Sequence, residues 1–384
     1  MANRVELSPD LIRWARQRSG LAVDALSKKF PKFEAWEAGE VAPTLKQLES
    51  YAHYTHTPLG YFFLEQPPEE SLPIPDFRTV GDDGLRRPSP DLLETIETMQ
   101  RRQDWLREYL IDEGAEPLPF VGSADLQASP DTVAQAMREA LGLSEGWASV
   151  EKSWTDALQH LRERIDELGV LVVINGVVGN STRRKLQVQE FRGFALSDAH
   201  SPLIFINGSD AKAAQMFTLI HELAHIWLGA DGVSNFEALQ PADIDVELFC
   251  NKVAAEFLVP TRKLHAVWAE ASRAEEPFQR LARQFKVSPL VAARRAMDLG
   301  LVEKADFFSF YGSYQKDERR KQGLRRGGGD FWNTQNTRIG RRFGATVVRA
   351  TREGKLLYRD AYRLTGLQGK TFDSFAERLG FRKA

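Results

Sequence analysis

The chain has 384 residues, 51 Lys and Arg against 53 Asp and Glu, 42 % hydrophobic residues and a single cysteine. That length suits two or three domains and the balance is that of a folded globular protein. No run of eighteen apolar residues is present, which excludes a helical membrane span. One cysteine excludes an internal disulfide, and the start "MANRVELSPDLIRWARQRSG" lacks the apolar core of a signal peptide. The expectation is a cytoplasmic protein with no membrane partner.

Charge is unevenly spread. Residues 301–384 hold nineteen Lys and Arg against nine Asp and Glu, so the tail is basic and the remainder acidic.

Residues 1–66 read as short helices. Ser8 is placed to cap the first, Leu11, Ile12 and Ala15 share its apolar face, and Gly20 stops it. "SGLAVDALSKKF" followed by "WEAGEVAPTLKQLESYA" resembles a Cro- and lambda-repressor-like helix-turn-helix domain. About four residues that usually build the turn and the start of the reading helix are missing. The remaining "FPKFEAWEAGE" carries Glu34, Glu37 and Glu40, which would face phosphates unfavourably. The segment therefore reads as a degenerate helix-turn-helix suited to protein binding or packing rather than to reading DNA.

Residues 67–90, rich in Pro, Gly and charge, form a linker. Residues 91–168 hold amphipathic helices that lead into a third region, residues 169–300. There "VLVVIN", "FRGFALS" and "PLIFING" are short apolar runs bounded by turn residues, hence strands. "SDAKAAQMFTLIHELAHIWLG" returns to helix, with Ser209 or Asp210 as its cap and Gly229 as its terminator.

Within that helix stands "HELAH". His221 and His225 are four apart and lie on one face, so both imidazoles can reach one metal ion. Glu222 is offset by about 100°, close enough to take a proton from water without being a ligand. The alternative is a buried helix whose histidines are satisfied by backbone or carboxylates. Zinc needs a third protein ligand, and "DIDVELFCNKVAAEFLVP" offers Glu247 and Glu256. These are nine apart and point to opposite sides. Val246, Cys250, Val253, Ala254 and Phe257 define the buried stripe. Glu247 borders it beside Asn251, whereas Glu256 sits toward Lys252 on the wetter side. The expected ligands are His221, His225 and Glu247, with Asn251 hydrogen-bonding behind them. Cys250 reads as a small core residue, and His53, His56 and His160 as surface or packing histidines.

The string "RGFALSD…SPLIFINGSD…QMFTLIHELAHIWLG…VELFCNKVAAEFLVP" resembles the ImmA/IrrE family of zinc metallopeptidases over roughly residues 170–300. The resemblance implies one zinc ion per chain on His221, His225 and Glu247, with Glu222 as general base. Ala224 stands where the family prefers glycine. It also implies a zincin-like domain in a regulatory protease, often associated with a repressor-like helix-turn-helix, that cuts a transcription factor or similar protein. The expected partner is a protein substrate such as a repressor or toxin–antitoxin component encoded nearby. Alternatives are a non-catalytic regulator with a structural zinc, and a DNA-binding repressor.

His265, His200 and Tyr311 are candidates for stabilising the oxyanion. Arg192, Gly193 and Phe194 could form an exposed edge strand that takes the substrate as an added strand, with Gly193 marking either close backbone approach or a bulge. "LARQFKVSPLVAARRAMDLG" forms a packing helical pair. Residues 301–384 form a basic helical extension, with protein or nucleic-acid binding as the alternative to a solvated face. The fold class expected is mixed α/β, mostly α, with a short sheet.

Overall fold

The computed structural model describes residues 4–75, 88–234, 245–316 and 331–381. Contacts divide the chain into two units: residues 1–73 with 80–96, and residues 74–79 with 97–384.

The first unit is built on helices α1 (Pro9–Ser19), α2 (Val23–Lys29), α3 (Phe33–Glu37) and α4 (Leu45–Tyr54). Ser8 caps α1 through the Asp10 amide, and Gly20 ends it with φ 64°, as the sequence requires. Leu11, Ile12, Leu26, Phe33, Trp36, Leu48 and Phe62 close around Tyr51, whose hydroxyl donates to the Ile12 carbonyl at 2.8 Å. Helix α3 has five residues. Glu34 accepts from the Ser27 hydroxyl and Glu37 pairs with Arg16 at 2.8 Å, so two of its acids are used locally.

Helix α5 (Pro90–Asp112) runs from the first unit into the second. The second unit continues with α6 (Pro130–Ala140), α7 (Trp154–Leu168), β1 (Leu171–Asn175), β2 (Gly193–Leu196), β3 (Leu203–Asn207), α8 (Lys212–Leu228), β4 (Gly232–Ser234) and α9 (Asp245–Leu258). Then come α10 (Thr261–Ala271), α11 (Pro277–Phe285), α12 (Pro289–Asp298), α13 (Lys304–Lys316) and four C-terminal helices: α14 (Phe331–Ile339), α15 (Arg341–Arg352), α16 (Tyr358–Thr365) and α17 (Lys370–Arg378). Mostly helical with one four-stranded sheet, the chain is mixed α/β as its sequence predicts.

Sheet order is β1-β3-β2-β4, with β1 parallel to β3 and β2 antiparallel to both neighbours. Every residue of β1, β2 and β3 is buried, because both faces are covered. Val172, Ile174, Ala195, Ile204 and Ile206 face the main core with Leu219 and Leu223 of α8. The residues alternating with them include Phe194 and Phe205, stacked at 5.0 Å.

Two expectations are corrected here. β2 is an interior strand, hydrogen-bonded to β3 on one side and β4 on the other, so Arg192, Gly193 and Phe194 offer no free edge. The ladder runs Gly193↔Ile206 through Leu196↔Leu203 without a bulge. A four-residue strand carries no signal of its own neighbours, and the three residues that cover it come 36 positions later. The cap of α8 is Ala211, in extended conformation and without a side-chain bond, rather than Ser209 or Asp210. Asp210 is drawn off to Arg192 at 2.6 Å.

The C-terminal helices are fastened to α5 by Arg102. This buried guanidinium donates to the Leu364 carbonyl at 2.8 Å and the Arg338 carbonyl at 2.7 Å, both at helix ends. Burial, followed by repulsion from Arg101, lowers its pKa to about 10, which leaves it charged at neutral pH. Arg102→Met removes both donors and is expected to cost about 2–4 kcal/mol. Equilibrium unfolding of the full chain measures this, and hydrogen exchange should rise first in α14 and α16. An unchanged midpoint would show that the clamp carries no load.

Candidate metal centre

Helix α8 is buried almost all round, and its HELAH turn lies wholly inside. His221, Glu222 and His225 have no exposed surface. Gly229 ends the helix with φ 68°, a conformation that costs little only for glycine. Trp227 stacks on Phe120 at 4.5 Å, and the Ile226 and Trp227 carbonyls accept from the Gly122 and Ala124 amides. The last turn is thereby held in place.

Helix α9 packs along α8 and brings in the third group. His225 Nε2 lies 3.0 Å from Glu247 Oε1, His221 Nε2 lies 3.4 Å from Glu247 Oε2, and the two Nε2 atoms are 2.9 Å apart. Donors bound tetrahedrally to zinc at about 2.0–2.1 Å stand about 3.3 Å from one another. The donor set therefore fits one small divalent ion. A second observation supports the fit. Both Glu247 oxygens are buried, and despite their closeness to the imidazoles neither makes a hydrogen bond of good geometry. A carboxylate in that state needs a cation.

Electrostatics set the right protonation states. Burial lowers the His221 pKa to about 4, against the opposing pull of Glu247. For Glu247 burial acts upward, but the adjoining imidazoles outweigh it and its pKa falls to about 2. Neutral imidazole and ionised carboxylate are what a divalent ion binds. Asn251 lies within interaction range of His221 and raises its pKa against the larger effect of burial.

Glu256 is not where the helix face placed it. It is 6 % exposed rather than wet, and it is fully engaged: it accepts from the Thr261 amide and hydroxyl and pairs with Arg295. Sequence periodicity could not see this, because Arg295 lies 39 residues on. The consequence strengthens the choice of Glu247.

Gly193 has a reason to be glycine. A Cβ there would lie 2.7 Å from Thr218 Cγ2, 2.9 Å from the Phe205 carbonyl oxygen and 3.1 Å from Glu222 Oε1. The bare backbone lets α8 and the Glu222 carboxylate lie against β2. Close approach, not a bulge, is the answer. Arg192 is held by Asp210 and so does not project as a substrate contact.

The oxyanion candidates are scattered. His265 lies on the exposed side of α10. Tyr311 on α13 accepts from Gln315 and stacks on Phe307. His200 sits in the β2–β3 turn, its amide donating to Asp198 at 2.8 Å. None of the three is among the described residues whose donors converge on the histidine pair. His160, part-exposed, lies edge-on to Trp147 and pairs with Glu151 at 2.8 Å.

Two further residues lie near the site: Asp231, which the sequence did not single out, and Cys250, which is a core residue as read. Asp231 accepts from the Ser197 amide and lies within electrostatic reach of His225; burial, then Asp198, raises its pKa. Cys250 has a sulfur within 4.8 Å of a ring nitrogen of both His221 and His225. Burial first, then Glu247 and Glu222, pushes its thiol well above the usual range. Its spacing of three from Glu247 was the available signal.

Purified protein is expected to hold one zinc per chain by elemental analysis. Glu247→Ala should weaken zinc binding at least about 100-fold, whereas Glu256→Gln should keep it. The reverse pattern would reassign the ligand. Gly193→Ala is expected to destabilise by about 1–3 kcal/mol through overpacking. Adding Thr218→Ser should restore only part of that loss, because the Phe205 carbonyl remains in the way. Full restoration in unfolding experiments would show that the side chain alone decides.

Residues 339–378 match DUF8813, a domain of unknown function. No curated protein matches the chain. Residues 165–297 match the model of the Peptidase_M78 family, the IrrE N-terminal-like domain. The stretch that carries the histidine pair and Glu247 is thus similar to the ImmA/IrrE peptidases, which supports a metallopeptidase-type regulatory protease.

Proposed function

We propose that the protein is a zinc-dependent regulatory endopeptidase that cleaves a specific protein, such as a transcriptional repressor, within the cytoplasm. The observation that carries this reading is the placement of Glu222. It stands beside the histidine pair, pressed against the bare backbone at Gly193, and is not one of the three converging donors. A metal site serving structure alone has no use for a carboxylate there.

His221, His225 and Glu247 would hold the zinc. When bound, the ion supplies Lewis acidity, acidifying water and polarising a carbonyl. The chain's own work is proton transfer and orientation. Glu222 accepts a proton from the attacking water and returns it to the leaving amine. Asn251 fixes the His221 ring, and the buried surroundings strengthen each of these interactions.

With β2 paired on both sides, the outer strands of the sheet are β1 and β4. The Val233 amide on β4 donates to the Pro75 carbonyl at 2.9 Å, so this edge already makes a backbone bond to another part of the chain. A substrate strand at β4 would use the same backbone groups. This supports a polypeptide substrate over a small molecule. Substrates drawn from repressors or toxin–antitoxin components, and a role in stress or mobile-element control, belong to this proposal. DNA reading by the N-terminal unit is disfavoured, since α3 spans five residues and two of its acids are engaged locally.

Glu222→Gln keeps size and helix but cannot accept the proton. Zinc content should stay at one per chain while cleavage of the cognate protein falls at least about 100-fold. The variant should still capture its substrate, so pull-down from native cells would enrich the protein that wild type removes. A full cellular response from Glu222→Gln cells would instead favour a binding regulator with a structural zinc.

A further inference from the structure

The pocket between α8 and α9 contains one more metal-binding atom than the three already described. Cys250 Sγ and a ring nitrogen of each of His221 and His225 all lie within 4.8 Å of one another, and all three residues are fully buried. Cys250 follows Glu247 by three residues on α9, so the two side chains emerge one turn apart on one face. As the only cysteine in the chain it has no thiol partner for a disulfide. The Glu247 carboxylate, 2 % exposed and without a well-formed hydrogen bond, independently marks the place a cation would fill.

We propose that Cys250 is a fourth protein donor to the metal and competes with the hydrolytic water for the remaining position. The inference rests on the metallopeptidase reading above and adds to it a second, sulfur-closed form of the same site. A zinc–sulfur bond of about 2.3 Å beside zinc–nitrogen bonds of about 2.0–2.1 Å places sulfur and nitrogen about 3.6 Å apart. The observed separation is at most 4.8 Å, so binding requires the sulfur to move inward by up to about 1.2 Å. In the exchange a metal–sulfur bond forms, the thiol proton passes to solvent and a water leaves the ion. Nothing is oxidised or reduced.

Four protein donors make a closed site of the kind that binds zinc for structure, whereas three leave the open position that catalysis needs. The closed form would hold its metal tightly while inactive, and strand addition at the substrate edge would have to displace the sulfur. A soft donor also biases the site toward zinc, cobalt and cadmium and away from magnesium and manganese. If Cys250 were only core filler, no metal–sulfur bond would exist in any state.

The test uses the full chain, stripped by chelation and reconstituted with cobalt(II) alone or zinc(II) alone. The cobalt protein should show a sulfur-to-cobalt charge-transfer band in the near ultraviolet. Cys250→Ser should bind one cobalt per chain without that band, and its zinc affinity in chelator competition should fall at least about tenfold. X-ray absorption at the zinc edge of the wild-type protein needs no variant and should find one sulfur at about 2.3 Å. Bound metal surrounded only by nitrogen and oxygen overturns the role of Cys250 and leaves the metallopeptidase reading standing. Failure to bind either metal overturns both.

Discussion

Two imidazoles and a carboxylate, buried and held within 3.4 Å of one another, are the constraint around which the second unit is arranged. Burying such a set without a cation is costly, so the scaffold must hold it against relaxation. It does so from several directions. Arg138 on α6 donates to the Glu256 carbonyl at 3.0 Å, tying α6 to the end of α9. Arg295 donates to the Val259 carbonyl and pairs with Glu256, while Thr261 binds the same carboxylate. These contacts fix the end of α9 and therefore where Glu247 and Cys250 point.

The sheet performs a related task. Its value to the site is a flat, side-chain-free patch at Gly193 against which α8 can settle, with Glu222 at the contact. The strand that provides the patch is unavailable for binding, because both its edges are paired. The outer position on this side of the sheet belongs to β4, where the Val233 amide donates to the Pro75 carbonyl.

Outside this centre the chain is fastened by cations. Arg102 satisfies two helix-end carbonyls, and Arg338 and Gln335 both donate to the Asn180 side chain in the loop after β1. The basic character of residues 301–384 is therefore partly internal. It is not simply a solvated face: Arg338 donates to the Asn180 side chain and Arg342 to the Asp166 carbonyl.

Residues that act through local spacing were legible in the sequence. The helix cap at Ser8, the stops at Gly20 and Gly229, three buried strands, the histidines four apart and Glu247 beside the apolar stripe all follow from periods of 3.6 and 2 and from backbone stereochemistry. Tertiary structure decided what depends on distant partners. Helix periodicity assigned Glu256 to water until Arg295 and Thr261 enclosed it. β2 read as an edge until β4 paired with it. Cys250 read as an inert core residue because a helix wheel shows which face is buried but not what lies across from it. Here that was the histidine pair of a second helix, brought within 4.8 Å only by packing.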